Sequence, residues 1–175
     1  MQRLLIKSAI AIAAISTALF SANAAFAGQD NKPGTDATYI GAGVSAGVTN
    51  GGQTGDAATF GGNIQGRFAV PEAPVSVRGA ILFSDETSAL MPIVSYDIPI
   101  TNNANVYVGG GYSFVEADGQ PTPLGNRNSV VLTAGAEAQF GDSIIVYGDT
   151  KWGIDAYQNS SADALSFQGG VGYKF

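Results

Sequence analysis

From residue 37 onward, apolar and polar side chains alternate with a period of two, and the alternation is sustained to the last residue. An amphipathic helix would instead repeat its apolar residues at i, i+3 and i+4. No segment of this chain does so. The pattern predicts eight strands, at 38–48, 59–70, 75–84, 90–98, 105–116, 129–140, 144–153 and 164–175. Most have about the length, roughly 9–11 residues, that a tilted strand needs to cross a bilayer. The connections at 71–74, 99–104 and 141–143 are short, whereas those at 50–58, 117–128 and 154–163 are longer and rich in Gly, Asn, Asp and Ser. Segment 85–89 is the one short member of the second set. Outer-membrane barrels have short periplasmic turns, longer external loops and an even strand count. The predicted fold is therefore all-β: an eight-stranded antiparallel up-and-down transmembrane β-barrel formed by 37–175.

The alternation sorts two chemical sets. On the second strand Phe60, Gly62, Ile64, Gly66, Phe68 and Val70 oppose Asn63, Gln65 and Arg67. On the sixth, Val130, Leu132, Ala134, Ala136, Ala138 and Phe140 oppose Ser129, Thr133, Glu137 and Gln139. The third and eighth strands divide in the same way. One face is expected to be apolar and the other to carry the charges. A soluble barrel could hold its apolar face inside, but the aromatic residues of that face are sorted by height. With direction set by the turns, Phe60, Phe83, Phe114, Trp152 and Phe167 fall at the external end. Phe68, Tyr96, Phe140, Tyr173 and Phe175 fall at the periplasmic end. Two aromatic girdles around an aliphatic band are what membrane interfaces select. The apolar face is therefore expected to meet outer-membrane lipid, and closure leaves no strand edge unsatisfied in hydrocarbon.

Residues 1–27 change the picture from fold to destination. Arg3 and Lys7 precede an apolar stretch from Ser8 to Phe20, and Ala25-Phe26-Ala27 supplies a small-x-small cleavage pattern. A cleavable signal peptide ending at Ala27 is expected, with Ala22-Asn23-Ala24 as the competing site. Residues 28–36 read as a flexible periplasmic lead-in.

Composition then removes chemistry. The chain has no Cys and no His, so it lacks thiolate ligands, disulfides, the commonest general base and the commonest transition-metal ligand. A hydroxyl without a base is a poor nucleophile. No enzyme, cofactor or metal site is expected. The net charge of -6 argues against nucleic acid as a partner. Disorder needs low hydrophobicity and high charge, and this chain is 45% hydrophobic and only 13% charged. Gly41-Ala42-Gly43 with Gly47 has the wrong spacing and no following helix for a dinucleotide loop, and reads as barrel wall. Asn159-Ser160-Ser161 matches a glycosylation sequon by chance of composition. The loop acids Asp56, Asp118, Asp155 and Asp163 are too scattered for a calcium loop and read as solvated.

The chain ends Gly-Val-Gly-Tyr-Lys-Phe, with aromatic residues on one face at the last position and two before it. With the leader and eight strands, residues 37–175 resemble the small outer-membrane barrel family of OmpA/OmpX-type and opacity-like proteins. The resemblance implies delivery by periplasmic chaperones and insertion by the barrel-assembly machinery, with Tyr173 and Phe175 as the assembly signal. No peptidoglycan-binding domain is expected after Phe175.

Inside the barrel, Arg67 and Arg78 flank the 71–74 turn symmetrically, so a simple hairpin sets them opposite each other. Like charges there destabilise a sheet. Asp97 and Glu137 point inward near the same depth. These four are expected to form one buried network, joined by Tyr107, that plugs the lumen and fixes strand register. Asp149 and Lys151 are expected to form a second, looser group higher up. Small inward residues, Gly109, Gly111, Gly135, Gly170 and Gly172, suggest water-filled pockets. Two functions remain open: a monomeric structural or surface-interaction barrel with an unidentified ligand at its loops, or a narrow pore for ions or very small solutes.

Overall fold

The structure, a computed structural model, describes residues 34–52 and 59–175. The leader, the first part of the lead-in and Asp56 lie outside the described residues. Eight strands follow in order: β1 Tyr39–Gly47, β2 Phe60–Ala69, β3 Val75–Phe83, β4 Ser88–Pro99, β5 Ala104–Val115, β6 Ser129–Phe140, β7 Ile144–Ile154 and β8 Ala164–Lys174. Each pairs antiparallel with its sequence neighbour, and β8 returns to pair with β1, closing the barrel.

Alternation fixes which way each strand faces, because successive side chains point to opposite sides of a sheet. On β3, Ser76, Arg78, Ala80 and Leu82 are buried, whereas Val77 and Phe83 are exposed. A one-residue slip would invert every strand's faces, so the register is tightly specified. The β2–β3 register sets Arg67 directly across from Arg78. The β5–β6 register sets Asn105 across from Glu137, and the β6–β7 register sets Gly135 across from Asp149.

Strand β4 is longer than its alternation indicates. It begins at Ser88 because the β3–β4 hairpin stays paired up to Phe83↔Ser88. The 84–87 turn then closes with the Ser84 N–H donating to the Thr87 carbonyl at 3.0 Å. Pro92 lies inside this strand. The β4–β5 pairing lapses between Leu90↔Phe114 and Ile93↔Gly111, since proline has no N–H to donate. It resumes in the same register, so Pro92 interrupts the ladder without shifting it.

The outside is an apolar band. Phe60, Phe83, Phe114, Trp152 and Phe167 are exposed near the long-loop end, and Tyr96, Phe140 and Tyr173 near the short-turn end. Phe68 and Phe175 are half-buried. Between them Val44, Val77, Val94, Val108, Val146 and Val171 are exposed. An apolar surface on this scale marks contact with lipid or protein, not with water.

Candidate functional site: the barrel interior

The inward side chains form three layers, beginning at the short-turn end with Arg67, Arg78, Asp97 and Glu137. Arg67 and Arg78 share each carboxylate. Asp97 receives Arg67 Nη2 at 2.9 Å on Oδ2 and Arg78 Nη2 at 3.0 Å on Oδ1. Glu137 lies 3.0 Å from Arg78 Nη1 through Oε2 and 3.2 Å from Arg67 Nη1 through Oε1. Two positive and two negative groups therefore alternate, and the repulsion between facing guanidiniums is offset by a carboxylate on either side.

The remaining donors are also satisfied. Arg67 Nε donates to Ser76 Oγ at 2.9 Å, and Arg78 Nε donates to Ser95 Oγ at 2.8 Å. Both hydroxyls donate onward to Asp97. Glu137 accepts from Tyr39 OH at 3.0 Å and Asn105 Nδ2 at 3.2 Å. Arg67 Nη1 also donates to the Thr35 and Ala37 carbonyls, each at 3.0 Å. Burying charge is costly unless every donor and acceptor is matched, and here the matching extends to backbone. It also changes the reading of the lead-in. Its end does not remain a free polar tail: Thr35 is buried, because Arg67 and Asn105 need the carbonyl acceptors it brings.

Tyr107 joins this layer to the next. Its ring lies 3.6 Å beneath the Arg78 guanidinium, a cation–π contact, and its hydroxyl donates to Asp149 Oδ2 at 2.9 Å. Lys151 Nζ lies 2.6 Å from Asp149 Oδ1 and reaches Gln168 and Gln65 side-chain oxygens at 3.3 and 3.4 Å. The Asp149–Lys151 group is thus no looser than the first. Lys151 is fully enclosed, and three acceptors satisfy an ammonium with three N–H bonds.

The third layer departs from the expected polar lining. Leu82, Met91, Ile93 and Val131 point inward at the long-loop end and pack with Leu124, Ala156 and Tyr157 from the loops. Loop 116–128 folds down over the mouth. Its Asn126 N–H donates to the Ala156 carbonyl at 3.0 Å, and the Asn126 side chain accepts the Gln158 N–H at 2.9 Å. Tyr157 OH donates to the Thr49 carbonyl. Burial of its ring pushes the Tyr157 phenol pKa up.

Nor are the inward glycines water pockets. A Cβ on Gly135 would stand 2.6 Å from the Tyr107 ring, and one on Gly172 would stand 2.8 Å from the Tyr39 ring. One on Gly170 would strike Tyr147 OH, and those on Gly109 and Gly111 would strike the β4 backbone. These positions are small because tyrosine rings and neighbouring strands occupy the space.

Sequence reasoning placed Gln65 and Gln168 on the polar face without giving them partners, and omitted Tyr39, Ser95, Asn105 and Tyr147 from the interior contacts. All sit on inward positions, so strand parity was the available signal. Thr35 carried none, since it contributes a carbonyl that any residue has.

No family model matches the chain, and no curated protein does. Solved structures do. The attachment invasion locus protein of Yersinia pestis is 15% identical, with a TM-score of 0.52, over 81% of this chain and 100% of that one. Neisserial surface protein A is 14% identical, with a TM-score of 0.57, over 78% and 96%. The N-terminal β-barrel domain of Pseudomonas aeruginosa OprF is 15% identical, with a TM-score of 0.53, over 81% and 98%. The fold is that of the small eight-stranded outer-membrane β-barrels.

Proposed function

We propose that this chain is an integral outer-membrane barrel with a closed, side-chain-filled lumen, acting in membrane structure or surface interaction and not in catalysis or solute passage. The observation that supports this reading is the stack of buried inward side chains, with Arg78, Lys151 and Met91 each almost fully enclosed. A neutral ionic block lies at one end, an Asp–Lys–Gln layer in the middle, and an apolar plug fastened by loops at the other. Eight strands enclose an interior that side chains can just fill. The apolar outer band and the likeness to outer-membrane barrels support the location. On this reading the short turns are periplasmic and the long loops external. The accessible parts are then the loops, where an unidentified ligand would bind.

Electrical recording on purified protein in a planar bilayer tests the choice between plugged barrel and pore. The expected record shows no steady unit conductance in molar salt. Reproducible unit openings in every active patch would assign the chain to the pore class instead.

A further inference from the structure

Segment 34–37 immediately precedes β1, yet most of its partners stand on the far side of the barrel. The Gly34 N–H donates to the Thr101 carbonyl, in the turn between β4 and β5, at 2.7 Å. The Thr35 N–H donates to Asn105 Oδ1 of β5 at 3.2 Å, and Asn105 Nδ2 donates back to the Thr35 carbonyl at 2.7 Å. Thr35 Oγ1 donates to Gln139 Oε1 of β6 at 3.2 Å and accepts the Ala37 N–H at 3.1 Å. Ala37 is fully buried and clusters with Tyr39 and with Ile145 and Tyr147 of β7. In the closed ring β5 stands opposite β1. The segment therefore ties the first strand to the opposite wall.

Gly34 permits that path. Its φ is +97°, in the left-handed region that favours glycine. A Cβ there would strike Asn105 Oδ1 and stand 2.9 Å from Pro99 Cβ. The fit is close enough that one added carbon disturbs it.

The site that receives the segment is assembled only by closure. Thr35 and Asn105 are 70 positions apart, and Thr35 and Gln139 are 104 apart. In an open chain these contacts would close long loops against entropy for only a few hydrogen bonds, each of modest net worth. In the closed ring Tyr39 is already held on both sides, by Arg67 of β2 and Lys174 of β8. The segment is then a short tether beside its partners, and docking orders little further chain. It also adjoins the one strand pairing that has no connecting turn, β1 with β8. Beside it the Phe175 N–H donates to the Thr38 carbonyl at 3.2 Å. Parting β1 from β8 at this end moves Thr38 and Tyr39, and so pulls on every bond of the segment.

We infer that residues 34–37 are a closure strap, which docks after the β1–β8 seam has formed and slows its reopening without assisting its formation. Interactions absent from the folding transition state act on the unfolding rate and leave the folding rate unchanged. The strap depends on the closed ring alone and not on the functional reading above.

Folding of the whole protein into lipid vesicles, and its unfolding from them in urea, separate the two rates, with the single tryptophan, Trp152, as the fluorescent reporter. Gly34→Ala should unfold about tenfold faster, the scale of the hydrogen bonds lost, and fold at the wild-type rate. Thr35→Val keeps the backbone bonds and loses Oγ1, so it should unfold faster by less. Asp36→Asn, altered at an exposed side chain of the same segment, should match the wild type in both rates. Hydrogen exchange locates the effect: in Gly34→Ala the amides of β1 and β8 should lose more protection than those of β4. An unchanged unfolding rate in both Gly34→Ala and Thr35→Val overturns the strap. Folding slowed as much as unfolding is accelerated, or a Gly34→Ala protein that does not fold, overturns docking after closure. Equal loss of protection in all strands overturns action at the seam.

Discussion

Glu137 is the residue on which the interior charge balance turns. It faces both guanidiniums and also accepts from Tyr39 and Asn105. Removing it leaves Arg67 and Arg78 side by side across the β2–β3 ladder with Asp97 alone between them. Breaking a buried ionic set by deleting one partner costs about 3–5 kcal/mol, because the remaining charge stays buried. Glu137→Ala should therefore lower the urea midpoint for unfolding from lipid vesicles by an amount equivalent to about 3 kcal/mol. Glu137→Gln, which keeps acceptor geometry but not charge, should lose less. An unchanged midpoint in both variants would show that the guanidiniums are satisfied without it. Two carboxylates and two guanidiniums on inward parity were legible along the chain. Which oxygen of Asp97 each guanidinium takes was not, since that depends on Ser76 and Ser95 orienting the carboxylate.

The strands show why alternation reveals the number of elements better than the contents of their inner face. Eight strands are visible because the outer face is uniformly apolar and the turns are marked by Gly, Pro, Asn and Asp. Strand β4 reads Ser-Ala-Leu-Met-Pro-Ile-Val, apolar on both faces, and its inward Ala89, Met91 and Ile93 belong to the plug. A run of that kind hides the layer in which a lumen changes from ionic to apolar. Loop residues Leu124 and Tyr157 complete that layer, and no strand periodicity could flag them. The glycines of β8 give a sharper test of face. Gly169 and Gly170 are adjacent, yet an added Cβ at Gly169 meets only the Tyr147 carbonyl at 3.8 Å. At Gly170 it collides with the Tyr147 hydroxyl and lies 2.5 Å from the Ala42 carbonyl. Gly170→Ala should destabilise the barrel by about 1–3 kcal/mol, the usual cost of overpacking. Gly169→Ala should be close to neutral. The temperature at which half the protein loses its folded electrophoretic mobility reads both, and equal shifts would show that β8 does not present these faces.

The whole molecule is polar along its axis in a way that the two ends make explicit. At one end the connections 70–74, 100–103 and 141–143 are brief, and the interior holds ionic side chains bonded to the Thr35 segment. At the other, segments 116–128 and 155–163 fold over an apolar plug and carry acids and, in Arg127, a single described cation. A sheet closed on itself leaves no strand edge as a docking strip, so any partner in solution must meet one of these ends. On the proposed outer-membrane reading, the short turns face the periplasm, as in barrels of this architecture, and the loop end faces the surroundings. The chain has no cysteine, so one introduced thiol reports its own position without background. Ser161 lies on an exposed part of loop 155–163 and Asn102 on the exposed 100–103 turn. Ser161→Cys should react with a membrane-impermeant maleimide on intact cells. Asn102→Cys should react only after the outer membrane is permeabilised. The reverse pattern would invert the barrel. Labelling of both positions in intact cells would mean that the barrel does not span the membrane as proposed.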